Sequence, residues 1–146
     1  MNENRHRVII KTLDEGALVK EIFCWGEAGW WPKRSLMRFE RKTEGPVAVG
    51  TRYVQKVMLP FAPQWEAEVD GLRPSGISRK FLGNMFDGHE DVHCRRLPEG
   101  FCVEYAMSYE VKGFLNRILW SLVFRRLHDK NIEDILNHLK KHLESQ

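Results

Sequence analysis

Between Phe114 and Leu143 the chain has neither glycine nor proline, and strong helix formers dominate. At 1.5 Å per residue, these 30 positions predict a rod of about 45 Å around which the remainder must be arranged. Its second half is amphipathic. Ile132, Ile135, Leu136, Leu139 and Leu143 form one stripe, with Glu133, Asp134, Lys140 and Lys141 elsewhere. In the first half Phe114, Leu115, Ile118, Leu119, Trp120, Leu122, Val123, Phe124 and Leu127 leave hardly any polar face. That pattern predicts a segment covered on most sides. The apolar window from Phe114 to Leu127 is interrupted by Arg117, Arg125 and Arg126 and falls short of the roughly 20 residues that cross a bilayer.

Upstream, strand-like segments alternate with turns. His6 to Leu13 reads as a first strand, and Asp14 as the N-cap of a short helix over Ala17 to Phe23. The stretch CWGEAGWWPKRS, crowded with Trp, Gly and Pro, predicts a second short helix or a tight irregular segment. Strands are then expected over Ser35 to Lys42, Val49 to Met58, Trp65 to Leu72, Ile77 to Leu82, His89 to Leu97 and Phe101 to Lys112. Turns every 10 to 15 residues or so argue for an antiparallel meander rather than βαβ crossovers. The last strand alternates cleanly, with Phe101, Val103, Tyr105, Met107, Tyr109 and Val111 on one face. One covered and one wet face produce that pattern. The expectation is one α+β domain spanning residues 1–146, with no internal repeat or linker.

Composition excludes several classes. A chain 42% hydrophobic and 29% charged is too apolar for a disordered segment. The net charge of +3 comes from basic residues interspersed with acidic ones, so no nucleic-acid footprint is expected. Cys24, Cys94 and Cys102 are odd in number and form no CxxC pair. Buried free thiols in a reducing cytoplasm are therefore expected. The N-terminus has no apolar core of signal-peptide length. His89, His93 and Cys94 are close in sequence, but on a strand the two histidines stand roughly 13 Å apart, too far to share a metal. No metal site or cofactor is expected.

The segment GTRYVQKV at 50 to 57, the strand WEAEV at 65 to 69 and the closing run VKGFLNRILW…IEDILNHLKKHLE resemble the helix-grip superfamily over essentially the whole chain. That superfamily includes START lipid-transfer domains, the birch-pollen-allergen family and bacterial polyketide cyclase and dehydrase relatives. The resemblance implies an α+β helix-grip fold, in which a curved antiparallel sheet of six to seven strands wraps a long C-terminal helix. Two short helices follow the first strand. It also implies a cavity between sheet and helix for a lipid, quinone or polyketide-like molecule. The sheet would line it through Trp65, Val69, Ile77, Phe81, Val92, Val103, Tyr105, Met107 and Tyr109. The helix would face it through Leu115, Ile118 and Leu122.

Polar residues on the same face would orient the ligand. Alternation turns Arg79 inward between Ile77 and Phe81. An unpaired buried guanidinium is costly, so it needs a carboxylate such as Glu90 or an anionic ligand group, unless a bulge turns it to solvent. The Tyr105 and Tyr109 hydroxyls could hold a carbonyl or simply bond backbone. On a straight helix the stripe extends backward through His128, Arg125 and Ser121, making a polar end to the cavity.

Three functions stand. The first is binding or carriage of a hydrophobic small molecule without catalysis. The second is a polyketide cyclase-like or dehydrase-like enzyme using Arg79, Glu90, Tyr105 and Tyr109. A protein-interaction module with a filled core is the third. No base is evident on the apolar face, since His89 and His93 alternate outward, which favours binding. The apolar loops Met58 to Pro63 and Trp30 to Pro32 either fold down or form the lips of the cavity, with a transient membrane contact as one use.

Overall fold

The structure is a computed structural model describing residues 2–27, 29–60 and 62–145. Seven strands are connected in the meander the turns predict. They are β1 (Asn2–Ile10), β2 (Met37–Arg41), β3 (Arg52–Val57), β4 (Gln64–Arg73), β5 (Gly76–Leu82), β6 (Phe86–Leu97) and β7 (Gly100–Val111). All join one antiparallel sheet in the order β1-β7-β6-β5-β4-β3-β2. The first strand therefore pairs with the last, and β1 and β2 are the sheet's edges. Relative to expectation β1 begins earlier, because Asn2 to His6 pair with Tyr105 to Tyr109. Lys11 to Leu13 instead leave the sheet toward α1 (Glu15–Phe23). Asp14 caps that helix, accepting from the Ala17 backbone N–H at 3.0 Å.

The second short helix does not form. Described residues from 24 to 34 make turns, pinned by buried Trp25 and Trp31, whose rings meet edge to face at 5.3 Å. Gly26 stands at φ 93°, where a β-carbon would come within 2.3 Å of the Phe39 ring. A left-handed residue under an aromatic ring stops helix propagation there. Residues Phe86 to Gly88, expected in a turn, belong to β6. Gly88 makes this possible, since a β-carbon would fall 2.0 Å from the Ser108 carbonyl oxygen.

The long C-terminal helix forms, but not with one phase. It runs as α2 (Phe114–Leu119), a π turn (Trp120–Phe124) and α3 (Arg125–Glu144). At the π turn the Arg125 N–H reaches back to the Trp120 carbonyl. One extra residue in a turn rotates everything before it relative to the stripe that follows. α3 buries the predicted Ile132, Ile135, Leu136, Leu139 and Leu143, with His128 and Asn131. The inward position one turn earlier falls to Trp120 rather than Ser121, which is exposed. The expectation that Leu115, Ile118 and Leu122 face the sheet is likewise overturned. They are 67%, 37% and 69% exposed.

Candidate functional site: a polar network inside an aromatic core

The concave face follows from strand alternation. Trp65, Val69, Ile77, Phe81, Val92, Val103, Tyr105, Met107 and Tyr109 are all buried under the helix. Antiparallel register sets two polar pairs on that face. Arg79 of β5 is directly opposite Glu90 of β6, and Gln55 of β3 is opposite Trp65 of β4. Glu90 is the hub. One carboxylate oxygen accepts from Gln55 Nε2 at 2.8 Å and faces Arg79 Nη1 at 3.4 Å. The other accepts from the Tyr105 hydroxyl at 2.8 Å. Gln55 in turn accepts from the Trp65 indole N–H at 2.6 Å. Arg79 turns inward, with Glu90 as its carboxylate, and is 1% exposed. Its Nη2 donates to the Trp25 carbonyl at 2.8 Å, and the guanidinium faces the Tyr53 ring at 4.2 Å. A desolvated cation is thus compensated by a carboxylate, a carbonyl and a π face.

A second cluster stands where α3 crosses the sheet. The Trp120 indole N–H donates to the Tyr109 hydroxyl at 2.8 Å, and that hydroxyl donates to Asn4 Oδ1 at 3.4 Å. Both tyrosine hydroxyls are therefore engaged by side chains. His128, 4% exposed, sits between Trp120 and Tyr105, with ring centroids 5.5 and 6.0 Å away. Neither of its ring nitrogens has a hydrogen-bond partner. Burial lowers its pKa to about 4, so it is neutral at physiological pH. Burial, reinforced by Glu90, raises the Tyr105 hydroxyl well above the ordinary tyrosine value. The Trp25 indole N–H, Arg79 Nε and the Tyr53 hydroxyl are also buried without a hydrogen-bond partner. These groups are contiguous, because Trp25 stacks on Tyr105 at 6.2 Å and shares the Arg79 bond.

The interface between sheet and helix is packed rather than hollow here. Phe86 meets Trp65 and Trp120 edge to face, each at 4.9 Å. Beside His128 a space of about 10 Å³ opens among Met37, Val57, Trp120, Phe124 and Asn131, roughly enough for one water. A wider groove of about 440 Å³ lies at the surface, lined by Glu110, Arg117, Ser121 and Arg125.

Of the residues expected around a ligand, those on the sheet converge inward. These are Trp65, Val69, Ile77, Arg79, Phe81, Val92, Val103, Tyr105, Met107 and Tyr109. Those on the helix do not join them. Leu115, Ile118 and Leu122 face outward, and half-buried Arg125 lines the outer groove. Sequence reasoning missed Gln55, Tyr53 and Trp25. Alternation through Tyr53, Gln55 and Val57 in YVQKV could have found the first two. No alternation governs Trp25, which reaches the core from a turn. The Trp30 to Pro32 loop folds down, with Trp31 and Pro32 buried and the Trp30 indole N–H donating to Glu21. Met58 and Leu59 remain exposed, and Phe61 of that loop lies outside the described residues. Among the described residues no cluster of three or more His, Cys, Asp or Glu side chains could hold a metal. No helix there is long and apolar enough to cross a membrane.

Comparison with known proteins matches no family model and no curated protein. Solved structures do match. The TTHA0849 protein of Thermus thermophilus superposes with a TM-score of 0.74 at 16% identity, over 99% of this chain and 98% of that one. The KanY protein gives 0.71 at 14% identity over 98% and 97%. Major latex-like protein 151 of Panax ginseng gives 0.68 at 10% identity over 97% of each chain. Such identities speak to architecture alone, and on that architecture this chain has the helix-grip fold.

Proposed function

We propose that the protein binds and carries an uncharged hydrophobic molecule bearing carbonyl or hydroxyl oxygens, quinone-like or polyketide-like, between the sheet and the C-terminal helix. The observation that carries this reading is the set of buried polar atoms without partners at His128, Trp25, Arg79 and Tyr53. Each such atom costs about 1–3 kcal/mol, a cost that a ligand oxygen removes at each atom it reaches. The charge of Arg79 is balanced by Glu90, and His128 is neutral. A charged ligand group would therefore stand uncompensated. The free N–H groups of Trp25 and Arg79 favour an acceptor, and the balanced charge of Arg79 argues for a neutral carbonyl over a fatty-acid carboxylate.

Access requires side chains to move, and the π turn is where the helix gives most readily. Trp120 and Phe124 border the small space beside His128 and are held by a non-standard backbone turn. Pro63 shares a neighbouring crevice with Phe124 and Leu119.

One observation favours a second reading as an enzyme. His128 supplies a neutral imidazole with both nitrogens free beside Tyr105, the acid/base group that strand alternation alone does not provide. At a pKa of about 4 it is a weak base, so proton transfer at a carbon next to a bound carbonyl requires a bound ligand to raise that value.

The test is titration of tryptophan emission with a naphthoquinone, a planar aromatic polyketide and a long-chain alcohol, with native mass spectrometry alongside. Saturable one-to-one quenching by the carbonyl compounds, weakened by His128→Leu, is expected. An unchanged emission and a bare mass with all three would remove the carrier reading. Turnover of a bound carbonyl compound that His128→Leu abolishes would establish the second.

A further inference from the structure

The apolar side chains of α2 and the π turn stand outside the core. Phe114, Leu115 and Leu122 are 79%, 67% and 69% exposed, and Ile118, Leu119 and Val123 are 37%, 37% and 45% exposed. They recur at i, i+1, i+4, i+5, i+8 and i+9, which makes one stripe on the side away from buried Trp120. Scattered exposed apolar residues need no explanation, but a contiguous stripe does. Met58 and Leu59 add exposed apolar surface, at 57% and 36%. Pro63 of the same loop shares a crevice with Leu119 and Phe124.

Charge indicates what covers this face. From Lys112 to Leu127 the sequence holds Lys112, Arg117, Arg125 and Arg126 and no Asp or Glu. Lys112 is held by Asp87 at 3.0 Å, and Arg117 donates to the Val111 carbonyl at 3.0 Å. The guanidiniums of Arg125 and Arg126, at the C-terminal end of the stripe, make no hydrogen bond or ion pair with any described residue. An apolar stripe ending in unpaired guanidiniums matches the needs of a helix lying in a membrane interface. The stripe enters the acyl boundary while the cations meet anionic headgroups. A second copy of the chain fits less well. Pairing the stripe with itself in parallel opposes Arg126 to Arg126, and in antiparallel sets Arg125 and Arg126 near Lys112. Either arrangement brings cation to cation with no acid on the stripe.

We infer that the outward face of α2 and the π turn, with the Met58–Leu59 loop, docks on an anionic lipid surface. Co-sedimentation would use vesicles of phosphatidylcholine alone and of phosphatidylcholine with phosphatidylglycerol in a two-to-one ratio. Binding to the mixed vesicles is expected to exceed binding to neutral ones by roughly tenfold and to fall with added salt. Arg125→Gln/Arg126→Gln should lose about tenfold, and Leu115→Ser/Leu122→Ser should lose binding altogether. Because Leu115, Leu122 and Arg126 face solvent and Arg125 lines an open surface groove, circular dichroism should match the parent in both variants. Three outcomes would overturn the inference: no sedimentation with either vesicle, equal binding to both, or a dimer in sedimentation velocity that the leucine variant dissociates. The quinone titration uses no lipid, so failure of one experiment leaves the other standing.

Discussion

His128 gives the core a pH dependence whose sign is fixed by burial. Its pKa falls from the ordinary 6.5 to about 4 in the folded state, so between those values the unfolded chain binds a proton that the folded chain refuses. Stability therefore rises with pH across that window and is lost as pH falls through it, by about 3 kcal/mol in full. Urea unfolding at pH 7.5 and pH 4.5 should show that loss in the parent, and His128→Leu should flatten this part of the profile. The Arg79–Glu90 pair makes a second prediction. Arg79→Met strands a buried carboxylate and should cost about 3–5 kcal/mol, whereas Arg79→Met combined with Glu90→Gln should recover much of it. Guanidinium unfolding of the three proteins checks this, and equal losses in single and double variants would show that the charge pairing contributes nothing. Arg79's inward direction was readable from Ile77 and Phe81, two positions either side. Its partner was readable only as a candidate, because cross-strand register is not written in either strand alone.

At the scale of elements, the π turn explains why the first half of the long helix misled and the second did not. From Ile132 onward, apolar and polar positions separate cleanly, so the buried stripe is unambiguous. Before it nearly every position is apolar, and such a run carries no phase information. It was compatible with coverage on most sides, whereas the structure covers Trp120 and Phe124 and exposes much of the rest. A π turn is equivalent to one residue inserted into an α-helix. Deleting Ser121 should therefore restore a regular helix while leaving the flanking phases in place. Its melting temperature should stay within a few degrees of the parent. Deleting Glu133 instead would rotate Ile135, Leu136, Leu139 and Leu143 out of register and should unfold the protein, since each truncated core contact is worth about 2–5 kcal/mol. Thermal melts followed by circular dichroism separate the two, and a Ser121 deletion as damaging as the Glu133 deletion would refute this view of the turn.

For the whole molecule, the strand sequence and its covered face were legible because one-sided antiparallel strands alternate openly, as β7 and β4 do. The filled interior was not legible. Whether Trp25, Phe86 and Trp120 meet one another or surround a void depends on distances between elements far apart in the chain. The same long-range closure has a consequence for how the protein is made. Among the described residues β1 pairs only with β7 in the sheet, and β7 begins at Gly100, 90 residues after β1 ends at Ile10. At ordinary rates of synthesis this is a wait of roughly 5–20 s, during which the first strand leaves the ribosome with no edge to join. Its outward positions Glu3, Arg5 and Arg7 carry charges that oppose pairing with a neighbouring nascent chain in that interval. The fold's final seam is thus also its longest exposure.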